Sequence, residues 1–265
     1  MATVETKTAA PPAWIVVAVQ ELRDLWLGGR GLLLTLAFSG LLSVLSYLVA
    51  TNQALNFLEQ RESVNLTLQV AIAVGALLAL LAGADTISGE RERGSLEGLL
   101  LTPVSRFQLT VGKLVAALSL WLGAFVVTIP YVWFLGRGVG IVGVALTTGA
   151  VVGTLLAVFL VSLGGLVSIF AGSNRASLSV SLFSLLALFA PTQFPSSAQQ
   201  GWAGDLLLRA NPLTAGEHYV GKIIVDGHGW SQDAAWLISP VSAAALFALA
   251  AAIAGARALR LSGAS

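Results

Sequence analysis

Residues Ile87 to Arg106 read ISGERERGSLEGLLLTPVSR. Glu90, Arg91, Glu92, Arg93, Glu97 and Arg106 crowd into this stretch, in a chain where only 10% of residues are charged. Long apolar runs flank it on both sides with almost no slack. On a helix over Ser88 to Leu101, Glu90 can pair with Arg93 and Arg93 with Glu97, at the three- and four-residue spacings that bring side chains together. Leu96, Leu99 and Leu100 then fall on one side. Thr102 is expected to cap a further helix, with Pro103 at its first position, where a missing N–H costs nothing. A solvated loop would explain the charges but neither the leucine face nor the stiff junctions. The stretch reads as a short amphipathic helix joined directly to two transmembrane helices, so that motion imposed on it moves both.

The rest of the chain sets that reading in a membrane. Its 265 residues are 56% apolar, with a mean hydropathy of +0.86, whereas a soluble domain carries about 25% charged residues. The net charge of +1 and the lack of a basic stripe interleaved with aromatics argue against nucleic-acid binding. There is no cysteine, which removes disulfides, thiolate catalysis and cysteine-ligated metals. Glu21, Arg23 and Asp24 interrupt the first apolar stretch, so it is not expected to be a signal peptide.

Crossing a hydrocarbon core takes roughly 20 helical residues. Runs of that kind place spans at 31–51, 66–85, 110–135, 141–170, 176–194 and 235–256. Continuous apolarity without period-2 alternation indicates helices rather than barrel strands. The fold class is therefore an all-α membrane protein, one transmembrane domain over residues 1–265 with six transmembrane helices. Before the first span, residues 12–29 carry Trp14, Ile15, Ala18, Val19, Leu22, Leu25 and Trp26 on one helical face and Gln20, Glu21, Arg23 and Asp24 on the other, the pattern of an interfacial amphipathic helix. The Gly28-Gly29-Arg30-Gly31 break separates it from the first span.

Placing both termini on one side gathers Lys7, Arg23, Arg30, Arg91, Arg93, Arg106, Lys113, Arg175, Arg257 and Arg260 there, and leaves Arg61, Arg137, Arg209 and Lys222 opposite. The excess of Lys and Arg puts both termini, and the quoted stretch, in the cytoplasm. Gly75, Ala79 and Gly83 share a face of the second span, and Gly149 with Gly153 forms a GxxxG in the fourth. Close helix contact is implied, with a span of this chain or with a second protomer. Pro130, Pro191 and Pro240 fall within or at the ends of spans, where kinks are expected.

The pattern GERERGSLEGLLLTPVSR, followed by Gly112-Lys113 opening the third span, resembles the membrane permease subunits of type 2 ATP-binding-cassette (ABC-2) transporters. Glu90, Arg91, Gly94, Leu96, Glu97, Leu100, Thr102 and Pro103 match the family pattern. The interfacial helix with Glu21-Leu22-Arg23-Asp24 and a fifth-to-sixth loop containing Asn211-Pro212 are also similar, so the resemblance covers nearly the whole chain. It implies that residues 88–102 hold a coupling helix, which docks on a separate cytoplasmic ATPase. It also implies two such ATPase subunits, a second permease as a homodimer or related chain, membrane lipid around the spans, and short outer helices within 195–233. ATP and Mg²⁺ would be bound by the partner ATPase, with no cofactor in this chain, and the localisation would be the inner (cytoplasmic) membrane. The function implied is export coupled to ATP hydrolysis elsewhere. The alternative is a non-transporting anchor that relays ATPase motion to an extracytoplasmic partner protein.

Energetics point the same way. A secondary transporter places an ionisable residue near mid-membrane, but Asp85 lies at the end of its span and Lys113 at the start of its own, where snorkelling would take the ammonium to the interface. Energy is then expected from a partner. Gly216 to Ile223 fits GxxxxGK, yet Ile223 stands where Mg²⁺ needs a hydroxyl and no strand precedes it, so no catalytic residue is assigned. Glu217, His218, Asp226 and His228 match no metal-ligand spacing, so no metal is assigned either. Asn65-Leu66-Thr67 is a glycosylation sequon by pattern, abutting the membrane.

Overall fold

The computed structural model describes residues 11–51, 57–193 and 201–259. The long helices are α1 (Ala13–Leu27), α2 (Arg30–Ala50), α3 (Phe57–Asp85), α6 (Arg106–Gly136), α7 (Val142–Phe170) and α8 (Asn174–Phe189). Two short helices, α4 (Ser88–Arg93) and α5 (Leu96–Leu100), lie between α3 and α6. Beyond α8, a 3₁₀ turn (Ala190–Gln193) precedes α9 (Trp202–Ala210), α10 (Pro212–Ile224), a second 3₁₀ turn (Ala234–Leu237) and α11 (Ile238–Ala258). We call the end of the bundle carrying α4 and α5 proximal and the opposite end distal.

Gly29 separates α1 from α2 by adopting φ +82°, a left-handed conformation that glycine reaches without the steric penalty of a Cβ. The amphipathic helix then turns back along α6. The Trp26 Nε1–H donates to Ser119 Oγ at 3.0 Å. A Cβ on Gly112 would stand 2.8 Å from the Trp14 carbonyl oxygen, and one on Gly123 would strike the Trp26 ring. The helix expected to lie at the interface is thus clamped to a membrane helix as well.

Among the described residues, five helices are long and apolar enough to cross a membrane: Arg30–Val49, Gln60–Asp85, Arg106–Gly136, Val142–Phe170 and Ala234–Ala258. The expected fifth span at 176–194 is instead the 16-residue α8, tightened into 3₁₀ geometry at Ala190–Gln193; Phe194 lies outside the described residues. At 1.5 Å per residue, α8 runs roughly 24 Å, short of the roughly 30 Å hydrocarbon core. Pro191 sits in that turn, and Pro240 is the third residue of α11, where the lost N–H had no intrahelical partner. Of these three prolines, Pro130 alone sits deep within a helix, α6.

The core is α3 packed against α6 and α7, with α11 on the outside of α7. Leu68, Ile72, Leu80, Trp121, Leu156 and Leu160 are buried there. The glycines decide how closely these helices approach. Gly75 and Gly153 leave room for the Trp121 ring, whose Nε1–H donates to Thr154 Oγ1 at 3.0 Å. Gly149 receives Leu68. Gly83 and Gly164 let the backbones of α3 and α7 touch, since a Cβ on either would strike a carbonyl oxygen of the other helix, Val161 or Leu80. The small-residue faces read from the sequence therefore serve contacts within the chain.

Several of the described basic residues lie at the two ends of the bundle. Arg30, Arg93 and Lys113 meet proximally. Distally, Arg61 Nη1 donates to the Ile224 carbonyl at 3.4 Å and Arg209 stacks on Trp236 at 4.6 Å. Lys7 and Arg260 lie outside the described residues. The outer helix expected over Thr214 to Val225 is α10, and its start is set by Asn211: Oδ1 accepts from the Leu213 N–H at 2.9 Å while Pro212 takes the first position. Tyr219, Ile223 and Ile224, its expected apolar face, are buried in the main core. Asn65 and Thr67 of the sequon lie within α3, Thr67 fully buried.

Gly164→Val is expected to destabilise the protein by the roughly 1–3 kcal/mol of an overpacked core, seen as a lower melting temperature in detergent. Gly98→Ala, which meets no atom within 4 Å, is expected to leave it unchanged.

Candidate functional site at the proximal end

The segment between α3 and α6 is fixed to the bundle by backbone hydrogen bonds. The N–H groups of Ile87 and Ser88 both donate to Ser168 Oγ of α7, at 3.0 and 2.8 Å, and the Ser88 hydroxyl donates to the Ala84 carbonyl at 2.7 Å. One helix over Ser88 to Leu101 was expected; the structure breaks it at Gly94. There φ is +72°, and the N–H groups of Gly94 and Ser95 return to the carbonyls of Arg91 and Glu90 at 3.2 and 3.1 Å, a Schellman closure that ends α4. The Thr102–Pro103 cap is also corrected. The Thr102 hydroxyl donates back to the Leu99 carbonyl at 2.6 Å, and α6 starts at Arg106, capped by Ser105 Oγ accepting from the Gln108 N–H at 3.3 Å. Ser105-Arg106-Phe107-Gln108 is the Ser-x-x-Gln signature of a helix start, a stronger signal than proline alone. The junction to α6 is consequently a turn and bends over 101–104 rather than a continuous helical rod.

The matched residues divide by direction. Arg91 reaches across to the last carbonyls of α7, donating to Ile169 at 3.2 Å and to Ala171, while Glu92 accepts the Asn174 N–H at the start of α8 at 3.1 Å. A cation at a helix C-terminus and an anion at a helix N-terminus both match the peptide dipoles they face. Leu96 is buried with Ile87, Ile169 and Leu259, and Leu100 packs beside them. Gly94, Glu97, Thr102 and Pro103 are exposed, as is Leu101, at 74%. The leucine face is therefore spent largely on the bundle, and the outward surface is made of Glu97 and the 101–103 turn.

Glu90 points the other way, to a charge that sequence reasoning misplaced. Lys113, expected to snorkel, is 2% exposed, and its Nζ is held by Glu21 of α1 and by Glu90 at 3.3 Å. Around this pair, Asp85 draws Arg30 and Arg93, each at 3.6 Å, and accepts from Asn174 Nδ2 at 2.7 Å. Arg93 also pairs with Glu90 at 3.5 Å, as the helical spacing anticipated. A cavity of about 370 Å³ opens among Glu21, Asp24, Arg30, Asp85, Glu90 and Lys113. Of the interfacial-helix residues, Glu21 and Trp26 bind α6, Trp14 is 37% exposed, Arg23 is exposed, and Asp24 is exposed at the cavity rim. The sequence signal for Lys113 was its position about two turns into an apolar helix with no acidic residue on that helix to neutralise it.

Burial opposes ionisation of Glu90, but the Ser95 hydroxyl and the charges of Lys113 and Arg93 outweigh it and hold the carboxyl below its ordinary value of 4.5. Of the four distal residues weighed for a metal, Asp226 pairs with Lys222 at 2.9 Å and His228 with Asp233 at 2.5 Å, while Glu217, His218 and Asp226 line one cavity. Gly216 to Ile223 lies inside α10, whose helical backbone offers no phosphate-cradling loop.

Lys113→Met leaves two carboxylates facing each other in a partly buried site and is expected to cost about 3 kcal/mol, read as a fall in melting temperature that Glu90→Gln partly restores. A carboxyl depressed in the folded state stabilises above its unfolded pKa and loses that contribution as pH falls through its folded one. Wild type is therefore expected to lose stability as pH drops below about 4.5, and the loss is expected to be smaller in Glu90→Gln across the same window.

Among curated proteins none matches the chain. The family described as "ABC-2 family transporter protein" matches residues 15–253, from α1 through the helices and both charged ends to the last turns of α11. This chain belongs to that family: it is an integral membrane protein and a permease subunit of an ABC transporter, of a kind that associates with an ABC ATPase.

Proposed function

We propose that the chain is the permease of an exporter in which α4, α5 and the 101–103 turn form the docking element for a separate cytoplasmic ATPase. The observation that carries this is the division of labour within residues 88–103. One side, through Arg91, Glu92 and Leu96, is bonded to α7, α8 and α11, and the other presents Glu97, Leu101, Thr102 and Pro103 outward. A push on the outward side reaches α7 through Ser168 and Arg91, and reaches α1 and α6 through Glu90 and Lys113. No hydrolytic chemistry is required of the chain itself; ATP and Mg²⁺ belong to the partner.

In this reading both termini and the proximal end face the cytoplasm of a cell whose inner membrane holds the protein, two ATPase subunits bind below, and a second permease completes the pathway. The exposed apolar faces of α2 (Leu32, Leu33, Leu36, Val44) and α8 (Val180, Phe183, Leu186) suit lipid or that second permease. One observation favours the alternative, relay to an extracytoplasmic partner: α9 leaves Trp202 and Leu206 82% and 60% exposed at the distal end. Substrate flux in reconstituted vesicles separates the two, because a relay hydrolyses ATP without it.

Glu97→Ala, in vesicles containing the partner ATPase, is expected to lower permease-stimulated hydrolysis at least several-fold while changing stability by no more than about 0.5 kcal/mol, as for other surface substitutions. Leu96→Ala, by contrast, is expected to lose about 2 kcal/mol of packing and to show it as reduced melting temperature before any effect on coupling. Undiminished stimulation in Glu97→Ala together with Leu101→Ala would remove the docking role.

A further inference from the structure

A second cavity, of about 420 Å³, lies at the distal end between α3, α9, α10 and the 3₁₀ turn at Ala234–Leu237. Its lining includes Gln69, Thr214, Glu217, His218, Lys222 and Trp236. Nothing in the proximal machinery uses it, and its size is within the roughly 300–1,000 Å³ of small-molecule sites. We propose that this cavity binds a primary ammonium group, with the Glu217 carboxylate as its counter-ion and the Thr214 hydroxyl as a second acceptor.

The charges around the cavity are already matched, with one exception. Lys222 is paired with Asp226 at 2.9 Å, Arg209 with Asp205 at 2.9 Å, and His228 with Asp233 at 2.5 Å. The Arg209 guanidinium also covers Trp236, and the His218 ring stacks on the same indole with centroids 4.0 Å apart. The Glu217 carboxyl makes no hydrogen bond or ion pair among the described residues; only its backbone carbonyl is engaged, by Gln69 Nε2 at 3.5 Å. One turn earlier, Thr214 is 9% exposed, and its Oγ1 is buried without a hydrogen-bond partner. A buried hydroxyl left unpaired is costly, as is a carboxylate partly withdrawn from water, as Glu217 is, without a counter-charge. Both deficits lie on one helix face, three residues apart, and both residues line the same cavity.

A three-donor ammonium satisfies both and supplies the missing charge. A divalent metal does not fit this donor set, since calcium takes six to eight oxygens and Asp226, the other lining carboxylate, is held by Lys222. Burial pushes the Glu217 carboxyl above its ordinary value of 4.5 and holds His218 below its ordinary 6.5, so the imidazole does not neutralise its neighbour. Gly221 marks the open space: a Cβ there meets nothing nearer than Asn65 Nδ2 at 3.9 Å.

The ammonium could be borne by a free amine or by an ethanolamine lipid headgroup. The site does not depend on ATPase docking, so it is tested on the full chain in phosphatidylcholine nanodiscs with radiolabelled ethanolamine as the probe. Saturable binding is expected, reduced at least tenfold by Glu217→Gln, which preserves shape and removes charge, and likewise by Gly221→Leu, which grows into the cavity. Repeating the measurement with phosphatidylethanolamine in the nanodisc identifies the source: loss of probe binding there assigns the site to the lipid headgroup, and unchanged binding assigns it to a free amine. No saturable binding in phosphatidylcholine, or binding by Glu217→Gln equal to wild type, overturns the proposal.

Discussion

The proximal end depends on one buried cation. Lys113 sits 2% exposed in an otherwise apolar helix, so its ammonium must be neutralised within reach of its own stem, and among the described residues the carboxylates paired with it belong to α1 and α4. Each of these elements alone has weak grounds for staying in place. The helix α4 is six residues long, too short to persist by its own hydrogen bonds, and α1 is amphipathic enough to rest on a lipid surface. The shared charge binds them to α6 and to each other. A surface pair would contribute little; here the cost of leaving Lys113 unpaired makes the pairing obligatory while the helices remain packed.

The helix packing that holds Lys113 in place is of a different kind. Without water to drive apolar surfaces together, membrane helices associate by close fit and by hydrogen bonds between them. Gly83 and Gly164 bring α3 and α7 to backbone contact, and Gly75 and Gly153 enclose Trp121. Tyr131 ties α2 to α6 through Ser39 and Ser43 at 2.9 and 2.8 Å, and Ser177 ties α8 to the Ala84 carbonyl at 2.7 Å. These serines and glycines are scattered among leucines in the sequence, which is why composition alone showed close contact but not which helices met.

Much of the fold could be read from hydrophobic run length, because a long charge-free segment has few other options. Five of the six expected spans fall on helices long and apolar enough to cross a membrane, while the amphipathic helix followed from its 3.6-residue periodicity and its end from the Gly28-Gly29 pair. The boundary errors have local causes. Thr102-Pro103 looked like a helix start, but Ser105 with Gln108 made the better cap. Ala176 to Phe194 looked like a full span, but its helix gives way to 3₁₀ geometry at Ala190–Gln193. In the candidate site, the residue types were legible and their directions were not. Leu96 and Glu97 are adjacent in sequence, yet one is buried in the bundle and the other exposed. Helical spacing separates the two, but the turn at Gly94, whose left-handed φ ends α4, sets the direction in which the leucine face points.

The two ends of the molecule meet through α7. Its 29 residues run roughly 44 Å at 1.5 Å per residue. Near the proximal end, Ser168 accepts the Ile87 and Ser88 N–H groups and the Ile169 carbonyl accepts from Arg91. Towards the distal end, Val152 and Leu156 press against Gly216 of α10, where a Cβ would stand 3.1 Å from Val152. A hydrogen-bonded helix transmits a tilt or translation along its length with little internal deformation. Any displacement of α4 that moves α7 must therefore shift the surface on which α10 rests, one residue from Glu217 and two from Thr214. In the proposed function, ATPase motion received at Glu97 would alter the distal cavity without any charge crossing the membrane, because the ionisable groups involved stay at the two ends of a helix that carries none between them.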